Sequence, residues 1–299
     1  MSLMTTVTVP NQLLEIYSRE AIFDSMAQLY FRQFVKYKRE FNVEPGLNVN
    51  FLKINNLPLG EELTSETVPV PINSYSDSVV NFAVKEYANS IKVSALRLLS
   101  SYRPVLEDMV KLLGRDYGMV LDNTCRDAFL ATANKQYAGG AANTAAIAVG
   151  GTFKIEEVLN AVEVLQTLNA PMLNRMGDQH YVCVVHPHQA RDLVDEDKWE
   201  NWQRYTKPEM MYNGEIGRIY NTVFLRTTQM PILAAAGASS QDIYRSVLFG
   251  DATVGFGELL PMELRTDGVD ELGRFLRLGW YSVFGAGPIN DYSIEIQTS

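Results

Sequence analysis

Three histidines and a cysteine fall within nine residues, at His180, Cys183, His186 and His188. Imidazole and thiolate are zinc ligands, so the cluster invites a metal centre. The spacing argues against one. Val-rich residues 181–186 read as a strand, on which Cys183 shares a face with Tyr181 and Val185 while His186 points with Val182 and Val184. No C-x-x-C or H-E-x-x-H pattern is present, and structural hydrogen bonding at a strand end suits these histidines better than a metal. Asp195, Glu196, Asp197 and Glu200, beside Trp199 and Trp202, would hold a divalent cation or face a basic partner; a solvated helix–loop face is the plainer account. Serine-hydrolase and P-loop chemistry lack their G-x-S-x-G and G-x-x-x-x-G-K-[ST] patterns. Gly255-Phe256-Gly257 opens a dinucleotide-like motif, but Leu260 stands where the third glycine belongs and Pro261 follows instead of a helix. No catalytic, cofactor-binding or metal residue is therefore assigned.

The elements around these residues come in a particular order. Pro187 suits the first turn of a helix, where its missing N–H is no loss, and residues 188–193 continue that short helix. Asn213-Gly214 marks a turn, and Ile216 and Ile219 are spaced as on one helical turn. Asn221 breaks that pattern before a strand over residues 222–227, and the unit ends at Met230-Pro231.

This order resembles the major capsid proteins of tailed bacteriophages, in the branch related to the N4-type podoviruses. The likeness rests on His186-Pro187, Asp192-Leu193, Gly214-Glu215-Ile216-Gly217, residues 221–224 and Met230-Pro231, with a second patch at Val247–Gly250 and Asp251-Ala252. The resemblance implies an α+β capsid fold, shared with encapsulins. Its parts would be an N-terminal arm (1–45), an extended hairpin loop (46–95), a peripheral domain with a long spine helix (96–151 and 261–299) and an axial domain (152–260). It also implies a non-enzymatic subunit of an icosahedral virion shell that assembles in the host cytoplasm. Its partners would be copies of itself in hexamers and pentamers, a scaffolding protein and a portal. The shell would enclose double-stranded DNA without sequence-specific binding. No long pro-segment precedes Leu13, so the scaffold is expected as a separate protein. An encapsulin-like compartment shell is the alternative function, and an enzyme with a site near His186 a more distant one.

Composition agrees with a large folded chain. Of 299 residues, 46% are hydrophobic and 20% charged, which supplies a core. No signal peptide or membrane-spanning run is present, and two cysteines in a chain this size fit a reducing compartment. Residues 1–150 carry 14 basic against 15 acidic side chains and residues 151–299 carry 12 against 20, so the second half supplies −8 of the net −9. Such a chain has no broad positive patch for nucleic acid. The compact basic cluster Lys36, Lys38 and Arg39 reads as a solvated helix end rather than a DNA contact.

Residues 13–41 read as one or two aromatic-rich helices, either in the core or against a neighbouring subunit. Alternation of Leu47, Val49 and Phe51 with Asn48 and Asn50 predicts a strand over 47–54, and residues 79–93 a second, long extended run. Between them lie Pro58, Pro69 and Pro71 and three glutamates, a polar, proline-bearing link that fits a projecting hairpin or a loose surface loop. Val68, Val70 and Ile72, two apart, would face the neighbouring subunit, with Glu61, Glu62 and Glu66 beside them. The longest helix runs from Pro104 to about Tyr137, roughly 50 Å at 1.5 Å per residue. Gly114 and Gly118 inside it call for a close backbone neighbour or a break. Thr152 would cap a following helix ending near Asn169. Strands are expected at 264–266, 274–284 and 292–296.

Overall fold

The computed structural model describes residues 29–38, 48–60, 62, 70, 72–101, 105–175, 177–196, 215–266 and 271–299. Its first strands in chain order are β1 (Lys36–Lys38), β2 (Asn48–Ile54), β3 (Asp77–Ala83), β4 (Lys85–Ser94), β5 (Lys135–Tyr137), β6 (Leu173–Arg175) and β7 (Asp178–Val185). There follow β8 (Glu215–Ile219), β9 (Thr222–Arg226), β10 (Ile232–Leu233), β11 (Ile243–Phe249), β12 (Val254–Thr266), β13 (Phe275–Pro288) and β14 (Ser293–Thr298). The α-helices are α1 (Ala95–Ser100), α2 (Val105–Leu130), α3 (Ile155–Thr167) and α4 (Pro187–Val194).

Two sheets share one helix. The four-stranded sheet has the order β1-β12-β13-β4; the eight-stranded sheet runs β5-β14-β11-β7-β9-β8, with β10 on β11 and β6 on β7. Met109 and Leu113 of α2 pack on Leu278 and Trp280 of the smaller sheet. Further along, Leu121, Cys125 and Phe129 meet Val182 and Val184 of β7, Phe249 of β11, and Phe256 and Phe284 of the smaller sheet. The other face of β7, with Tyr181, Cys183 and Val185, packs against α3 and α4. The alternation expected along 181–186 is thus the real one, and burial on both faces explains why so many of these residues are Val.

Several local expectations are corrected. Where residues 29–38 were expected to be helical, Phe31–Phe34 form a 3-10 turn and Lys36–Lys38 pair in parallel with β12. The cause is tertiary: the buried Asp122 carboxylate accepts the Tyr30 and Arg32 backbone N–H groups at 3.3 and 3.1 Å, and Phe31 and Phe34 fill the core. Burial holds that carboxyl above its usual range, only partly offset by these hydrogen bonds. Lys36 and Lys38 therefore lie on a strand, not a helix end; Arg39 and residues 1–28 lie outside the described residues.

The spine helix ends at Leu130, not near Tyr137. There Thr132 donates to the Ser293 carbonyl at 2.7 Å, and Lys135–Tyr137 join β14 as a parallel edge strand. Gly118 has the Leu29 side chain 3.3 Å from where a Cβ would sit, whereas Gly114 faces open space. The helix is continuous across both glycines, and the close neighbour is a side chain at one of them. Ile216 and Ile219 lie on strand β8, joined to β9 by a two-residue turn in which Tyr220 and Asn221 have positive φ. The expected cap at Thr152 is displaced: Lys154 occupies the cap position, and Glu196 accepts the Ile155 N–H at 2.7 Å. The long run 79–93 is two strands that change sheets at Val84. β12 starts ten residues before the expected strand at 264, its register shifts absorbing Pro261. β12 also runs through residue 260 within the smaller sheet, and β14 pairs with β11 in the larger one.

Candidate intersubunit surface

The residues that looked most chemical are occupied structurally. His186 is the N-cap of α4: its Nδ1 accepts the His188 N–H at 3.2 Å, and its own N–H donates to Gln189 Oε1 at 3.2 Å. That is a capping box with histidine as the cap, a residue outside the usual Ser, Thr, Asp and Asn. His188 stacks on Tyr244 with centroids 4.3 Å apart. His180 is fully buried, its Nδ1 3.3 Å from the Asp178 carbonyl. Burial first, and then His188, hold the His186 imidazole below the ordinary histidine value, which keeps Nδ1 an acceptor. Burial likewise drives the Cys183 thiol far up, and with Asp122 adding to it raises Cys125 to about 12. Neither thiol is a nucleophile at neutral pH. Among the described residues no group of three or more His, Cys, Asp or Glu is placed to hold a metal. Of the acidic cluster, Glu196 is spent on α3; Asp197 and Glu200 lie outside the described residues.

Exposed apolar side chains gather on the hairpin. β2 and β3 pair antiparallel from Asn48↔Ala83 to Ile54↔Asp77, and Asn55 N–H to Ser76 carbonyl, 3.1 Å, extends the ladder. At its root the period-two pattern is satisfied, with Val49 buried and Phe51 half-buried. Beyond Phe51 the pattern fails. Residues 52–60 and 72–79 are all exposed, including Leu52, Ile54, Leu57, Leu59, Tyr75 and Val79. Leu52, Ile54 and Val79 share the face opposite Val49, because Leu52 pairs with Val79. Of the residues expected at a subunit contact, Val70 and Ile72 are 69% and 97% exposed, and Glu62 is exposed; Val68, Glu61 and Glu66 lie outside the described residues. The strand residues Leu52, Ile54 and Val79 are not among those the sequence reading assigns to a contact. The signal was there: apolar side chains at both odd and even positions after Phe51.

Further exposed apolar side chains lie on α1, at Leu96 and Leu99, and at the start of α2, where Leu106 and Val110 share a face and Leu112 lies on another. Lone exposed leucines are ordinary, but contiguous patches on a folded chain mark contact surfaces.

Among the described residues, then, a spine helix is shared by two sheets and a hairpin carries exposed apolar side chains. The family model described as phage capsid protein matches residues 86–272, well over half of the chain, so this chain belongs to the phage capsid protein family. Solved structures agree. The chain is 16% identical to the capsid of Ralstonia phage GP4, with a TM-score of 0.76 and 96% of each chain covered. It is 13% identical to the capsid of cyanophage Pam1, with a TM-score of 0.78, covering 100% of this chain and 98% of that one. To the head structure of Helicobacter pylori bacteriophage KHP40 it is 13% identical, with a TM-score of 0.72 and coverage of 99% and 97%. No curated protein matches the chain. The fold is that of tailed-phage major capsid proteins, and the chain is a structural, self-associating subunit of the virion shell.

Proposed function

We propose that this subunit closes an icosahedral shell of hexamers and pentamers by laying its β2–β3 arm across the adjacent copy. The observation that carries the proposal is the arm's exposed apolar row, Leu52, Ile54 and Val79, with Val70 and Ile72 exposed further along the chain. Burying each such side chain contributes roughly 1.5–3 kcal/mol, less the ordering of the hairpin. The exposed leucines of α1, Leu96 and Leu99, offer it apolar surface on the next subunit. In this reading α2 and the four-stranded sheet form the peripheral domain, and the eight-stranded sheet with α3 and α4 the axial one. The chain acts without catalysis, its histidines being committed to capping and stacking. Scaffolding protein and portal join it during assembly in the host cytoplasm, and the finished shell holds double-stranded DNA. The net charge of −9 supports enclosure without a sequence-reading grip.

Replacing residues 60–74 by a short Gly-Ser turn, together with Leu52→Ser, Ile54→Ser and Val79→Ser, tests the arm. The expected product is a folded subunit that no longer closes into shells under negative-stain microscopy. Normal shells from that deletion would overturn the proposal.

A further inference from the structure

Two short motifs remain without a role, Gly255-Phe256-Gly257 and Gly285-Ala286-Gly287. The fold brings them together. Across the β12–β13 ladder Gly255 pairs with Gly287 and Gly257 with Gly285. Because side chains alternate along a strand, the four glycines form a square of bare backbone on one face. On the other face Phe256, Ala286 and the neighbouring Phe284 point into the core.

The root of the arm lies on the bare square. A Cβ at Gly255 would stand 2.7 Å from the Phe51 ring, at Gly257 2.5 Å from Val49, and at Gly287 2.6 Å from Phe82. At Gly285 it would meet the Ala83 carbonyl oxygen at 2.7 Å. Carbon atoms pack best at about 3.5–4.0 Å, so none of these positions has room for a methyl group. None of the four has a left-handed φ; close approach, not backbone conformation, is what requires glycine. Val49 is buried here with Val84 in a small cluster of its own, and beyond Phe51 the hairpin has no further cover among the described residues.

We propose that this four-glycine pad is the seat that sets the direction of the arm. Gly255, Gly257, Gly285 and Gly287 are positioning residues for the intersubunit contact, acting through Val49, Phe51 and Phe82. The importance of that direction rests on the arm-contact reading above; the seat itself does not. A methyl group at Gly257 lifts Val49, and a small lift at the root becomes a larger displacement along the hairpin.

Spin labels at Ser74→Cys and Lys154→Cys, both exposed positions, report the arm-to-body distance, since the native Cys125 and Cys183 are buried. Gly257→Ala should shift the mean distance outside the width of the parent distribution. Gly257→Ala with Val49→Ala should return it, and Val49→Ala alone should broaden it. An unchanged mean in Gly257→Ala, or a double variant that stays displaced, overturns the seat. If Gly257→Ala does not fold, Val49→Ala decides: an unaltered distribution overturns the proposal. Shell closure is scored on the same variants. A displaced arm with normal shells supports the seat and overturns the arm-contact reading instead.

Discussion

β7 and the arm are built from the same kinds of residue and end in opposite surroundings. Tyr181–Val185 are buried on both faces, between α2 on one side and α3 and α4 on the other. In β2 and β3 the residues Leu52, Ile54 and Val79 are as apolar, yet among the described residues no second layer covers them. The difference lies in what the chain supplies around each strand. A central strand is flanked by paired neighbours and by helices that its own sequence provides. The hairpin has the glycine pad beneath its root and, among the described residues, no cover beyond Phe51. Hydrophobicity alone does not tell a buried strand face from an exposed one; the presence of an intramolecular partner does.

The sharpest way to break that contrast is in the layer itself. Leu248→Ala, at a fully buried β11 position, should cost about 2–5 kcal/mol in denaturant unfolding. A loss near zero would mean that the layer is not the stability core.

Next in size is the spine. Gly118→Leu should cost roughly 1–3 kcal/mol by overpacking against Leu29, whereas Gly114→Ala, in open space, should gain up to about 1 kcal/mol of helix propensity. Equal effects at the two glycines, measured by thermal unfolding, would show that Leu29 does not hold its place on α2.

His186→Ala should remove a helix cap worth about 0.5–2 kcal/mol without changing any reaction rate. Its pH signature has a defined sign. Because the folded-state pKa is lowered by burial and by His188, the cap's contribution is full above the unfolded histidine value of about 6.5. It is lost as pH falls through the folded value, when Nδ1 becomes a donor facing the helix N-terminus. The parent protein should therefore lose stability relative to His186→Ala on acidification. Parallel pH profiles for the two proteins would rule the cap out as the titrating group.

The smallest effect on folding belongs to the arm. Ile72→Ala and Val70→Ala should change the stability of the free subunit by less than about 0.5 kcal/mol while lowering the yield of closed shells. A large loss in the free subunit would place these side chains in the chain's own core and erase the contrast with β7.

Much of this was legible without coordinates. Val-rich alternation gave β7, Pro187 the start of α4, and three- and four-residue spacing the body of α2, because each is a local pattern of backbone geometry and side-chain direction. The order of motifs from His186 to Ala252 pointed to the capsid family. Val70 and Ile72 stood out by their period of two, but Leu52, Ile54 and Val79 did not, since nothing within a strand says whether its second face has a partner.

What the sequence determined, then, are the elements whose formation is decided within a few residues of themselves: the body of the spine helix, β7 and the start of α4. Tertiary structure decided the rest, through partners far away in the chain. Asp122 turned an aromatic, helix-like stretch at 30–34 into a 3-10 turn by taking its N–H groups. Glu196 replaced Thr152 in serving the N-terminus of α3, and β9 drew Ile216 and Ile219 into a strand. Two glycine triplets 30 residues apart became one seat only because β12 and β13 pair in register. A hydrogen-bonding group or a bare backbone face takes its role from whatever the fold sets against it, and that neighbour is not written beside it in the sequence.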